Sequence, residues 1–287
     1  MTGAQSSQAP RPERFPRISD YAYLSDCHTG ALIAPDGSVE WLCVPRFDSG
    51  SVFGAILDRG AGRFRLGPAT ESVPVARRYE PGTMIVETTW ATATGWVVVR
   101  DALTIGPWHE EDSDPHRRPP SDHEADHVLV RTVLCLQGSV EIEMACDPAF
   151  SYGLDRGEWH LESRHAAEVE SGGVRVRLTS DMNLGIEATG ALARHRLEDG
   201  ERAFCGFSWS ESLECPASMD DAHERLERTA DYWRQWLAAG DFPDHPWRIY
   251  LQRSALTLKG LMYAPTGAIT AAATRRSRRF SGAACRP

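Results

Sequence analysis

Few side chains in this sequence are grouped in a way that suggests chemistry. Asp20, Asp26 and His28 lie close together among Ser and Thr residues. A histidine with two carboxylates is the raw material of a metal site or a proton relay. No second ligand cluster accompanies them, so the expected role is turn and cap hydrogen bonding. A denser collection includes His109, Glu110, Glu111, Asp112, Asp114 and His116, and continues with Asp122, His123, Glu124, Asp126 and His127. These residues are spread through a polar stretch with Pro119-Pro120 and read as a solvated loop. Arg46-Phe47-Asp48 follows a strand end at Pro45. An arginine beside a carboxylate there either clamps a loop or lines the mouth of a pocket. Adjacent carboxylates such as Glu110-Glu111 seldom face one cleavage point, and no Ser or Cys nucleophile has a partner pattern. No catalytic residue, metal site or cofactor is expected.

The elements that would position these residues read mostly as strands. Ala31 to Ile33 and Val39 to Val44 flank the turn Pro35-Asp36-Gly37-Ser38, where Pro presets φ and Gly accepts a positive φ. Met84 to Ala91 and Trp96 to Ile105 pair around Thr94-Gly95. His127 to Leu136 and Val140 to Ala145 are expected to form a third hairpin across Gln137-Gly138-Ser139. Val174, Val176 and Leu178 alternate with Arg175 and Arg177, the period of a strand with one wet face. Leu184 to Arg196 and Arg202 to Trp209 follow, separated by Glu198-Asp199-Gly200. Many short strands with local turns predict a mainly β fold, antiparallel sheets packed as a sandwich.

The texture then changes. Leu226, Ala230, Trp233 and Leu237 recur at helical spacing over Asp220 to Ala239, and Gly240 ends the helix. A second helix over Trp247 to Met262 places Ile249, Arg253, Leu256 and Gly260 along one side. It is unusually apolar for a helix lying alone on a surface. The chain is 41% hydrophobic and 25% charged with a formal charge of −9, which fits a globular protein and offers no basic face for nucleic acid. No apolar run is long enough for a membrane span, and Met1 to Pro16 lacks the apolar core of a secretory signal. Seven cysteines without a C-x-x-C pair are expected to be reduced and packed as small hydrophobes, which suits the cytoplasm.

Several ordered blocks resemble glycoside hydrolase family 15, in its bacterial trehalase-like and glucoamylase-like members. They include Ile18-Ser19-Asp20-Tyr21, Leu24 to Thr29, Ala34-Pro35-Asp36-Gly37-Ser38, Trp41-Leu42-Cys43 and Pro45-Arg46-Phe47-Asp48-Ser49. Ser51 to Asp58, Arg78-Tyr79, Pro81-Gly82-Thr83, Glu87 to Trp90 and Val99-Arg100-Asp101 continue the likeness. Arg253 to Lys259 and Tyr263-Ala264-Pro265-Thr266-Gly267-Ala268-Ile269 resemble that family's entry into its catalytic domain. The resemblance implies an N-terminal β-sandwich (a supersandwich), a linker helix and an α/α toroid. It also implies hydrolysis of α-glucosidic bonds with inversion by two glutamates of the toroid. No position here matches those glutamates.

On this reading residues 1–16 form a disordered arm, 17–215 the sandwich, 216–246 the linker helix and 247–274 the start of a truncated toroid. Residues 275–287 are an aberrant tail. Thr274 to Arg279 can be encoded ACG CGT CGC TCC CGG AGG, and one restored A gives Thr-Thr-Ser-Leu-Pro-Glu, the family's continuation. A frameshift is therefore expected. Arg46, Phe47 and Asp48 become candidate substrate-binding residues at a sugar pocket's rim. Trp90, Trp96, Trp159 and Trp209 offer faces for sugar stacking, although most tryptophans in alternating strands are core. The expected partners are the α-glucoside substrate of the parent enzyme and, through the exposed terminal helix, a second copy of the chain. Neither nucleic acid nor membrane is expected. The alternative is a stand-alone β-sandwich that binds carbohydrate or docks onto an enzyme.

Overall fold

The computed structural model describes residues 15–70, 73–106 and 125–274. Its first layer begins with β1 (Ala22–Ser25), β2 (Gly30–Ile33), β3 (Ser38–Cys43), β4 (Ser51–Phe53) and β5 (Arg63–Pro68). The second begins with β6 (Ala76–Tyr79), β7 (Val86–Ala91) and β8 (Gly95–Leu103). A long strand, β9 (Val128–Asp147), follows, then a single turn, α1 (Phe150–Gly153). Next come β10 (Glu158–Ser163), β11 (Ala166–Ser171), β12 (Val174–Ser180), β13 (Gly185–Glu187), β14 (Gly190–Glu198) and β15 (Arg202–Ser208). Helices α2 (Met219–Ala238) and α3 (Arg248–Gly260) and a small hairpin, β16 (Met262–Tyr263) with β17 (Ala268–Ile269), complete the order. The tail beyond residue 274, the arm before residue 15 and the His- and acid-rich stretch 107–124 lie outside the described residues.

All described strand pairings are antiparallel, and β9 belongs to both layers. The hairpin expected across Gln137-Gly138-Ser139 does not form: the chain runs on as one strand of 20 residues. Val128 to Leu134 pair with β15 and β8, whereas Val140 to Cys146 pair with β14 and partly with β5. The two halves thus satisfy their backbones in different layers. Gly138, at φ 78°, takes the bend beside a register shift between Trp96 and Val97. A Cβ there would collide with the carbonyl of Thr94.

Between the layers the side chains alternate as the sequence predicts. Val86, Thr88 and Trp90 of β7 point inward, and Phe53, Phe64 and Phe207 pack with ring centroids 5.2–6.1 Å apart. Arg131 also occupies an inward position, between Leu129 and Val133. Its side chain is 0% exposed and that of its partner Asp101 1%, with Nε to Oδ1 at 2.8 Å. Its other nitrogens donate to the carbonyls of Phe64 and Gly37, each at 2.6 Å, so one guanidinium joins the second layer to the first.

Helix α2 covers the outer face. Ser218 caps it by accepting from the Asp221 N–H at 3.2 Å. Ala222, Leu226 and Ala230 close one apolar cluster with Ile85, Val130 and Phe204; Trp233 and Leu237 close another with Trp41 and Leu32. β1, β2 and β3 are consequently buried along their whole length, the polar Ser25, Ser38 and Glu40 included, rather than alternating.

Helix α3 is half docked. Its tethers run from Arg253, which lies 4.0 Å above the Tyr79 ring and donates to the Thr83 carbonyl at 2.8 Å, to the Gly260 carbonyl. That carbonyl accepts from Tyr23 at 2.9 Å and Ser25 at 2.6 Å. Ile249, expected on the same side, instead stands 75% exposed, because it lies a full turn before the first tether. Trp247, Tyr250, Leu251 and Leu258 are exposed with it.

Arg131→Met strands the Asp101 carboxylate and is expected to lower unfolding free energy by about 3–5 kcal/mol in urea denaturation. Adding Asp101→Leu should recover part of that loss, but not the share owed to the Phe64 and Gly37 carbonyls. A loss below about 1 kcal/mol for the single variant would refute the clamp.

Candidate functional site

Loops at one end of the sandwich enclose a cleft of about 460 Å³. Four aromatic and imidazole rings run along it. Tyr263 meets His28 with centroids 5.7 Å apart, His28 meets His127 at 5.8 Å, and His127 meets Trp209 at 6.2 Å. Arg46 comes from the β3–β4 loop and Arg175 from the start of β12, while Glu211 lies beyond β15. Glu211 is the only carboxylate among the described residues that line the cleft.

Each ring is held by its own element. Asp26 Oδ1 accepts from the backbone N–H of His28 at 2.8 Å and of Thr29 at 2.7 Å, which folds the β1–β2 turn and presents His28. The His28 carbonyl then accepts from the Phe47 N–H at 3.0 Å, fixing the loop that bears Arg46. Tyr263 is drawn in by the Ala264 N–H, which donates to the Cys27 carbonyl at 2.8 Å. His127 precedes β9, and its carbonyl accepts from the Trp209 N–H at 3.0 Å. Its neighbour Asp126 accepts from Arg225 at 3.0 Å and Arg228 at 3.2 Å, so α2 sets where β9 begins.

Burial pushes the His127 imidazole below its ordinary pKa; Asp26 opposes this shift, His28 adds to it and Asp126 opposes it. Nδ1 of His127 and Oδ2 of Asp26 are buried without hydrogen-bond partners among the described residues. Arg46 is pushed the other way, upward, chiefly by the charge of Asp48 and also by hydrogen bonding to the Tyr263 hydroxyl.

The residues singled out in the sequence are thus divided. Arg46 lines the cleft and pairs with Asp48 through Nε at 3.0 Å and Nη2 at 3.1 Å, both side chains exposed. Phe47 is half-buried, and neither it nor Asp48 is among the lining residues. Asp20 sits on an exposed 3-10 turn, away from the Asp26–His28 turn, which has the capping role expected of it. Among the described residues no group of three His, Cys, Asp or Glu side chains could hold a metal. His127, read from sequence as part of a solvated loop, is half-buried against the other rings, because α2 pins the residue before it. Trp90 is core, Trp96 is partly exposed, Trp159 packs on the core edge, and Trp209 reaches the cleft. Glu211 carried no signal in the sequence.

Residues 11–105 match a family described as trehalase-like, N-terminal. A trehalase of Mycolicibacterium smegmatis is 54% identical over 269 residues, 91% of this chain and 40% of that protein. The chain is trehalase-like. A trehalase of Mycobacterium tuberculosis is 52% identical over 94% of this chain and 41% of its own length. A third, from Thermoplasma volcanium, is 26% identical over 91% of the chain and 40% of its own. The trehalase-like chain therefore spans about two fifths of the length of the curated relatives it matches.

Because the fold favours neutral His127, the unfolded chain binds more protons once pH falls below about 6.5. This contribution to stability is full above that value and is lost as pH falls toward the lower folded pKa. His127→Asn removes the titration, and asparagine tolerates the φ of 55° found there. The urea midpoint should fall less in the variant than in the parent between about pH 7.5 and pH 5. Equal falls would refute the assignment.

Proposed function

We propose that this chain is the N-terminal, non-catalytic β-sandwich of a family 15 glycoside hydrolase that splits the α-glucosidic bond of trehalose. The observation that carries the reading is the 54% identity to the M. smegmatis trehalase across 91% of this chain. That relative holds further sequence equal to more than half of its length. Inverting hydrolysis needs an acid and a base on opposite sides of the bond, with carboxyl groups about 6.5–9.5 Å apart. The cleft offers Glu211 alone, half of such a pair, which supports a supporting rather than a catalytic role. The half-docked α3 supports the same reading, since Ile249, Tyr250 and Leu258 form the kind of apolar face that further helices cover. The described cysteines are mostly buried, as suits thiols packed as small hydrophobes in a reducing compartment, and we place the protein in the cytoplasm.

The purified chain is expected to release no glucose from trehalose or maltose above a heat-treated control. A hybrid in which it replaces the matching part of the M. smegmatis trehalase should hydrolyse trehalose with inversion, read by polarimetry or NMR of the first-formed anomer. Turnover by the chain alone, or a folded but inert hybrid, would overturn the proposal.

Left uncovered, the α3 face should also pair with a second copy. Size-exclusion chromatography is expected to show a concentration-dependent dimer that Ile249→Ser with Leu258→Ser removes, while stability changes by less than about 0.5 kcal/mol per site. A parent that stays monomeric at high concentration would contradict this.

A further inference from the structure

We infer that the cleft bounded by Tyr263, His28, His127 and Trp209 is itself a binding site for a neutral saccharide unit. Its volume of about 460 Å³ falls in the range of small-ligand pockets, roughly 300–1,000 Å³. A sugar ring presents apolar C–H faces together with hydroxyls that both donate and accept. A site for it therefore needs aromatic surface, donors and an acceptor in one place. Here Tyr263 supplies a half-buried ring and the largely buried Trp209 a second, Arg46 and Arg175 the donors and Glu211 the acceptor, from four separate segments of chain.

Charge decides against an anion. Arg46 is already engaged by Asp48, and Glu211 offsets Arg175, so the lining and its immediate partner carry no net formal charge. The site is also built in advance. Arg46 is oriented by its two-point contact with Asp48. Cys27, His127 and Leu213, each beside or within the cleft, hold positive φ angles of 65°, 55° and 52° without being glycine. Backbone in that region costs energy and persists where the surroundings over-determine it, as they do at ligand sites. That the saccharide is an α-glucoside rests on the function proposed above; that it is a saccharide rests on the cleft alone.

The test titrates the full chain with trehalose, maltose, β-linked cellobiose and inorganic phosphate, by calorimetry and saturation-transfer NMR. Saturable binding of the α-linked disaccharides is expected. Arg175→Ala and Glu211→Gln, both at exposed positions, should each weaken it about tenfold, the loss typical of one hydrogen bond to a charged group. Leu258→Ser on α3 should leave it unchanged. Equal binding of cellobiose keeps the site and sinks the α-glucoside assignment, hence bears on the proposed function separately. No saturable binding of any sugar at roughly 50 mM, binding untouched by both cleft variants, or binding of phosphate in place of sugar would overturn the inference.

Discussion

A guanidinium without access to solvent must be satisfied wholly by protein, and Arg131 is satisfied by three separate strands or turns at once. It takes a carboxylate from β8, a carbonyl from β5 and a carbonyl from the β2–β3 turn. Each partner would be costly to leave buried and unpaired. The two layers therefore have little freedom to slide past one another, whatever the apolar side chains around them would tolerate. The aromatic packing of Phe53, Phe64 and Phe207 fills the space this arrangement leaves; Arg131 also lies 4.9 Å from the Phe64 ring centroid.

That constraint reaches the cleft through shared strands. β2 and β3 carry the turn clamped by Arg131 at one end and His28 and Pro45 at the other. β9 carries Arg131 four residues after His127. The same strand passes into the first layer beyond Gly138, so its pairing fixes both sheets with a single piece of backbone. On the outside, Asp126 receives two arginines of α2 and completes the positioning of His127 from the helical side. Loops that carry ligand-facing groups are usually the most variable parts of a sandwich. Here three cleft segments are tied back by backbone hydrogen bonds, from Phe47 to His28, from Ala264 to Cys27 and from Trp209 to His127.

Tyr263 links two features of the surface, the cleft and helix α3. It follows α3 by three residues, and the carbonyl of Gly260 is gripped by Tyr23 and Ser25 just before it. The exposed apolar face of α3 therefore belongs to the helix whose end delivers one wall of the cleft. The end of α3 is thus joined to the cleft by covalent continuity and to the sandwich by the two hydrogen bonds to the Gly260 carbonyl.

The identities of β2, β3, β7, β8, β12, β14 and β15 and of both long helices were legible in the sequence because they depend on local information, whereas β1, β4, β5, β6, β10 and β11 were not. Period-two alternation marks β12, and turn chemistry marks Gly37, whose φ of 82° and contact with the Leu66 carbonyl exclude a side chain. Helical spacing marks Leu226, Ala230, Trp233 and Leu237, all buried as their spacing requires. Of the cleft, Arg46 was visible as a loop residue beside Pro45, but Glu211 was not, and His127 was read as solvated. Only the tertiary structure decided those, together with the continuity of β9. A Gln-Gly-Ser segment serves a hairpin and a bend equally well, and the difference lies in which distant strands offer hydrogen bonds. An arginine inside Val-Leu-Val-Arg-Thr-Val likewise signals nothing locally, since the groups that make its burial tolerable are 30 to 94 residues away along the chain.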